Sequence, residues 1–352
     1  MSDIPQKIDY KSAGVDIEAG NEAVRRIRSH AASTHSPAVL TGLGSFGTLF
    51  SLKDALAQYR DPVMVQSTDG VGTKTLVSVM AGKFDDLGRD LVAAVAGDIA
   101  VMGARPLTFL DYVGVHHVDP AQIEQLVSGM ADACREAGIS LVGGETAEMP
   151  SVYAKGDLDV VGFVTGIVER DEVLTGETIV AGDVVYGVQS SGLHTNGWSL
   201  ARKLLFDVAK HGIHDAPKEL GGKTLAEVLL APHANYVAPI RRALDAKIPI
   251  KGMAHITGGG LVENTPRVLP KGLGARIDVH SWEPQAIFAM MQKLGQLDRE
   301  EMHKVFNMGI GLAVIAPAGQ LEALREAFAP FHVWKIGKVE AGLEHTALVG
   351  EV

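Results

Sequence analysis

Ser67 to Lys74 read STDGVGTK and follow the apolar run Val63-Met64-Val65. The run predicts a strand and the octet an acidic glycine turn closed by a lysine, a unit that places chemistry at a strand's end. Gly70 and Gly72 allow positive φ, which turns backbone N–H groups toward an anion, and Lys74 adds a charge with the reach for a terminal phosphate. Asp69 does not belong in a bare phosphate loop, because phosphate oxygens repel a carboxylate unless a hard cation such as Mg²⁺ lies between them. The octet therefore reads as a metal–triphosphate site. The competing reading is a strand that ends in an ordinary Asp-Gly turn, and the pattern GxxxxGK[ST] is absent from the octet.

Working outward, Asp86 to Met102 carry Leu91, Ala94, Val95 and Met102 at helical spacing, and Asp98 falls on that same apolar face. A carboxylate there is costly unless it is paired, protonated or bound to metal, so Asp98 is a second candidate ligand beside Asp69. The strand candidate Leu107–Val115 follows, then a helix that starts at Asp119-Pro120 and stops at Gly138. Cys134 lies inside that helix and reads as inert core. A strand ISLV runs into GGETAEMP, where Glu145 and Glu148 are poor packing residues and good Mg²⁺ ligands or acceptors. Upstream, Asn21 is a possible helix cap. Gly42, Gly44 and Gly47 are interleaved with Leu43 and Phe46, as in a bulged hairpin or a flexible cover over a ligand.

Composition shifts at Thr175–Gly182, which places a domain boundary there. Beyond it the strand Val184–Gln189 meets SSGLHTNG, a loop of small residues that leaves His194 room to reach a ligand, with Asn196 two positions on. AHITGGG ends a strand with Gly258, Gly259 and Gly260 at a helix start, where N–H groups take a phosphate. Strands are also expected at Phe306–Ala316 and Val333–Val339, with helices at about 284–295 and 318–328.

The 352 residues are 46% apolar and suit two domains of roughly 150 to 180 residues each. No apolar run approaches the roughly 18 residues that span a bilayer, and the first ten residues lack a secretory pattern, so a cytoplasmic protein is expected. One cysteine excludes an internal disulfide. A net charge of −10 without a basic cluster argues against nucleic acid as a partner.

In order along the chain, YKSAGVDIEAGN, GLGSFG, STDGVGTK, GDIAVMGARPLTFLDY, GGETAEMP, SSGLHTNGWSLARK, AHITGGGLVENTPRVLP and FNMGIG resemble the phosphoribosylformylglycinamidine cyclo-ligases, also called aminoimidazole ribonucleotide synthetases. Eight motifs in sequence over nearly the whole chain are very specific. The family commonly has Asn-Asp where Gly97-Asp98 stands, lysine at Arg28 and glycine at Ser151. The resemblance implies a two-domain α+β protein. An N-terminal mixed α/β domain, residues 1–174, binds ATP and dimerises through its sheet, and a C-terminal α+β domain covers residues 175–352. It implies that ATP phosphorylates the formamide oxygen of formylglycinamidine ribonucleotide and that the amidine nitrogen then closes the imidazole ring, a step in purine biosynthesis.

On these motifs Asp69, Asp98 and Glu145 are expected to hold Mg²⁺, and K⁺ is an allowed further cofactor. Gly44, Thr68, Asp69, Gly70, Gly72, Thr73 and Lys74 are expected around ATP. Gly258, Gly259 and Gly260 would hold the substrate's ribose phosphate. His194 and Asn196 would orient the formyl oxygen or move protons, and Lys74 would act on the triphosphate. The rival readings are other ATP users of the superfamily, such as thiamine-monophosphate kinase, and a non-catalytic nucleotide-binding scaffold.

Overall fold

The computed structural model describes residue 10 and residues 12–350, so the expectation drawn from the first ten residues lies, Tyr10 apart, outside the described residues. Four strands form the first sheet: β1 (Pro62–Gly70), β2 (Arg105–Val115), β3 (Ser140–Glu148) and β4 (Leu158–Glu169), in the order β1-β4-β2-β3. β4 pairs antiparallel with β1 and β2, whereas β2 and β3 are parallel. Parallel neighbours need a long crossover, and the helix Pro120–Ala137 supplies it. Its ends are those the sequence signals: the Asp119 side chain accepts from the N–H groups of Ala121 and Gln122, and Gly138 closes it at φ 69°.

The helix Asp85–Ala100 packs beside the crossover helix and is buried almost all round, because it lies between the first sheet, the crossover helix and the second half of the chain. Glycine allows the close approach of the two helices. A Cβ on Gly88 would stand 2.0 Å from the Leu126 carbonyl oxygen, and one on Gly129 would stand 1.8 Å from that of Asp85. The other face of the sheet exposes Met64, Leu110 and Phe163.

Three boundaries differ from expectation. The first long helix is Ile17–Ala32, capped by Asp16 rather than Asn21, since the Asp16 carboxylate reaches the N–H groups of Glu18 and Ala19. Met102 lies past its helix and is exposed. The β1–β4 ladder continues to the pair Gly70–Val161, so Ser67 to Gly70 are strand residues and the turn is Val71–Thr73, ahead of a helix Lys74–Ala81.

The second sheet contains β5 (Val184–Gln189), β6 (Gly252–His255), β7 (Leu273–Asp278), β8 (Ile310–Ala316), β9 (Val333–Ala341) and β10 (Thr346–Val349). Their order is β10-β7-β9-β5-β8-β6, antiparallel except for the pair β10–β7. The protein is thus α+β with two mixed sheets. One apolar cluster joins the halves, running from Val65, Leu91 and Val95 to Tyr186, Val237 and Leu312. No helix among the described residues is long and apolar enough to cross a membrane.

Candidate active site

Side chains alternate along a strand, so β1 sends Thr68 to the open face and Ser67 and Asp69 to the face that carries the helices. Asp98, near the end of its helix, meets them there: Ser67 Oγ donates to Asp98 Oδ2 at 3.2 Å. From the second sheet, His255 at the end of β6 places Nδ1 2.9 Å from Asp98 Oδ1. Between the halves lies a cleft of about 550 Å³ walled by Asp69, Asp98, His255, Thr257, Asn264 and Arg267. The Asp98 side chain is 32% exposed, so it faces this cleft and is not the desolvated carboxylate its helical position suggested.

The desolvated carboxylate on that helix is Asp90, and its partner is Lys74. The lysine is fully buried, with Nζ 2.8 Å and 2.7 Å from the two Asp90 oxygens and 3.0 Å from the Ala231 carbonyl oxygen. Burial pushes the Asp90 carboxyl up to about 6, and the adjoining ammonium pulls it back toward the charged form. The expectation that Lys74 reaches a triphosphate is therefore corrected. The turn Val71–Thr73 folds the chain inward, and the lysine joins the two halves.

His194 is also placed differently from expectation. It is buried, at φ 60°, and its ring stacks on His233 with centroids 3.9 Å apart. Its Nε2 accepts from the backbone N–H of Ser191 at 3.1 Å and of Ala234 at 3.4 Å. Burial, helped by the nearby His255 and Lys74 charges, holds His194 well below the ordinary histidine range, and His233 is held low in the same way. A neutral imidazole committed to two backbone donors fixes the loop's shape, and the room predicted for it is filled by the second sheet and His233. Asn196 stays half-buried, with Nδ2 3.3 Å from Thr195 Oγ1.

Gly258, Gly259 and Gly260 lie between β6 and the short helix Gly260–Asn264. Asn264 Nδ2 ties their loop by donating to the carbonyls of Thr257, Gly258 and Gly260 at 3.3, 3.0 and 2.9 Å. Packing also requires glycine here, since a Cβ on Gly260 would stand 1.9 Å from the His303 carbonyl oxygen. Gly72 sits at φ 54°, and Thr73 Oγ1 lies 3.4 Å from Ser199 Oγ, so the turn after β1 packs on the short helix Trp198–Arg202 that follows Asn196.

Glu145 is not with Asp69 and Asp98 in this chain. It lies on β3, separated from β1 by two strands, and lines a cavity of about 710 Å³ under the loop Gly42–Thr48 together with Gly44, Asp111 and Phe163. Within one copy of the chain the three expected carboxylates are thus not brought together, and no cluster of three or more His, Cys, Asp or Glu suited to a metal occurs among the described residues. The second carboxylate facing that cavity is Asp111, which burial pushes up to about 7. Thr68 stands beside Phe163 in the ladder, on the same open face.

Two cleft residues, Arg267 and His255, and the buried His233 that His255 contacts were not singled out from the sequence. His255 had a usable signal, a strand end directly before a glycine loop. Arg267 and His233 had none, because only folding brings their segments to this region.

A family model described as AIR synthase related protein, N-terminal domain, matches residues 53–168, and one for the C-terminal domain matches residues 180–350. The chain is 47% identical over 348 residues to a phosphoribosylformylglycinamidine cyclo-ligase of Carboxydothermus hydrogenoformans, covering 98% of this chain and 100% of the relative. A cyclo-ligase of Trichlorobacter lovleyi is 45% identical over 94% of this chain and 95% of its own length. Among solved structures, a thiamine-monophosphate kinase of Stenotrophomonas maltophilia superposes with a TM-score of 0.67 at 20% identity, over 94% of this chain and 96% of the kinase. The hydrogenase maturation protein HypE in complex with ATP gives 0.63 at 18% identity, over 90% and 86%. At such identities the structural likeness is one of fold, whereas near-half identity over almost the full length means that the chain belongs to the phosphoribosylformylglycinamidine cyclo-ligase family.

Proposed function

We propose that the protein is an enzyme of purine biosynthesis that closes the imidazole ring of formylglycinamidine ribonucleotide at the expense of ATP, giving aminoimidazole ribonucleotide, ADP and phosphate. The observation that carries this reading is the polar cleft in which Asp69 and Asp98 from one sheet's layer face Asn264 and Arg267 from the other. Phosphoryl transfer asks a protein mainly for positioning and charge neutralisation. Mg²⁺ is bound by one or two carboxylates together with substrate phosphates, so the donor set of Asp69 and Asp98 fits it. Bound there, it would neutralise phosphate charge. Asp69 and Asp98 would hold it, Gly70, Gly72 and Thr73 shape the chain beside them, and Arg267 with Gly258 to Gly260 takes the ribose phosphate. Asn196 presents its amide to the reacting formamide and amidine. The formamide oxygen takes the γ-phosphoryl group, the amidine nitrogen attacks the same carbon, and phosphate leaves with that oxygen.

ATP is assigned to the region between this cleft and the open face, where Gly44, Thr68 and Glu145 stand. The division of labour follows the two halves, residues 1–174 for ATP and dimerisation and 175–352 for the substrate. The enzyme works where ATP and phosphorylated ribonucleotides are found, in the cytoplasm. Purified protein with ATP, Mg²⁺ and formylglycinamidine ribonucleotide is expected to form aminoimidazole ribonucleotide with one ADP per ring. ADP formed with thiamine monophosphate instead points to the kinase reading, and no ADP with either substrate points to a nucleotide-binding scaffold.

The same reading includes a homodimer through the first sheet. Met64 is 60% and Phe163 43% exposed on the open face of the sheet, and apolar surface of this kind is stabilised by a second copy. Light scattering at micromolar concentration is expected to give twice the chain mass, and Phe163→Glu to shift it toward the monomer. A wild-type monomer removes this part of the proposal.

A further inference from the structure

A cavity of about 490 Å³ lies where the two halves meet and shares no wall residue with the cleft. Its walls are the ends of the helices Asp85–Ala100 and Pro120–Ala137, the start of β2 and, from the second half, the helix Val237–Asp245. Small-molecule sites run from roughly 300 to 1,000 Å³, so the space suits one organic molecule. Ala104, Pro106, Ala137 and Ala238 give it an apolar floor without long side chains, which a flat ring covers.

Arg105, Arg135, Arg241 and Arg242 also line the cavity, and their partners decide what charge it keeps. Arg241 Nη2 lies 2.6 Å from Asp245 Oδ1 on its own helix, and Arg135 pairs with Asp132. The wall's carboxylate, Glu136, is held by Arg89 at 2.7 Å. Arg89, Arg135 and Arg241 are thus matched by Asp132, Glu136 and Asp245. Arg242 is not matched: its Nε donates to the Ala327 carbonyl at 2.9 Å and its Nη2 to that of Ala329 at 2.6 Å, and both acceptors are neutral. These bonds fix the guanidinium and leave its charge uncompensated. The Arg105 side chain has no hydrogen bond or ion pair among the described residues. The cavity therefore keeps the charges of Arg105 and Arg242, in a chain whose net charge is −10.

Unmatched guanidiniums beside an apolar floor fit a ligand that is anionic at one end and flat at the other. The arginine fork matches phosphate oxygens two at a time, and its planar face stacks on rings. A phosphate monoester carries close to two negative charges at neutral pH, which balances Arg105 and Arg242. We propose that this cavity is a second ligand site, separate from the cleft, that takes a nucleoside monophosphate, with the phosphate on Arg105 and Arg242 and the base on the floor of Ala104, Pro106 and Ala238. The proposal does not depend on the reaction assigned to the cleft.

The test uses the full chain and AMP as the probe. Crystals soaked in 8-bromo-AMP are expected to show the anomalous signal of bromine against Pro106 and Ala238, apart from any bromine in the cleft. In equilibrium dialysis with labelled AMP, Arg105→Glu is expected to weaken binding at this site at least tenfold, the scale for losing a charge-assisted contact and placing a like charge beside the phosphate. Arg105 is exposed, so thermal unfolding of that variant should match the wild type. Ala238→Trp, which fills the floor, should weaken AMP as much. Adenosine and inorganic phosphate, each with half of the contacts, should bind at least tenfold more weakly than AMP. Bromine in the cleft alone, or AMP binding indifferent to Arg105→Glu, overturns the proposal. So does inorganic phosphate that binds as tightly as AMP, because the floor then contributes nothing.

Discussion

Replacing Lys74 with Met is expected to destabilise the protein by about 3–5 kcal/mol, because it leaves the Asp90 carboxylate buried without its counter-charge. The lysine also holds the Ala231 carbonyl and lies 5.4 Å from the centre of the Trp198 ring, so its loss weakens the contact between the halves. The double variant Lys74→Met with Asp90→Asn should recover most of the stability. It removes the stranded charge and keeps an oxygen for the His233 N–H. Urea unfolding of the three proteins decides the matter, and a single variant as stable as wild type would show that the pair is not buried as described. ATP affinity of the folded variant should change little, since the ammonium does not reach the cleft.

Asp98→Asn is expected to lower turnover by a factor on the order of 10²–10³, the scale for removing one group that stabilises charge in a transition state. The substitution is isosteric at a partly exposed site, so stability should move by less than about 1 kcal/mol. An asparagine keeps an oxygen for the contact with His255 Nδ1, which confines the effect to the lost carboxylate charge. Unchanged turnover and unchanged Mg²⁺ dependence in the coupled assay would remove Asp98 from the chemistry. Thermal unfolding measured alongside separates a dead enzyme from an unfolded one.

Much of the architecture is legible from local patterns, since these act over a few residues. Asp119-Pro120 and Gly138 bound a helix because a cap and a left-handed glycine satisfy backbone groups on the spot, and the alternation along β1 commits Asp69 and Thr68 to opposite faces whatever lies beyond. The same patterns brought Asp69, Asp98, Asn196 and the triple glycine into consideration. Where pairing is long-range, they misled. STDGVGTK reads as an open anion loop because nothing near Lys74 announces Asp90, 16 residues on, or Ala231, 157 residues on. Glu145 looks like a ligand beside Asp69 until the strand order puts two strands between them.

The sequence by itself therefore determined the family, the two-domain α+β plan and the two carboxylates that face the cleft, Asp69 and Asp98. Only the tertiary structure decided which of the candidate residues face the cleft and which are spent on the interior. It moved Lys74 and His194 from the chemistry to the framework, and brought His255 and Arg267 to the cleft. The physical reason is that periodicity and capping are properties of neighbouring residues, while the burial and hydrogen bonding that set a group's charge and direction depend on what the rest of the chain packs against it.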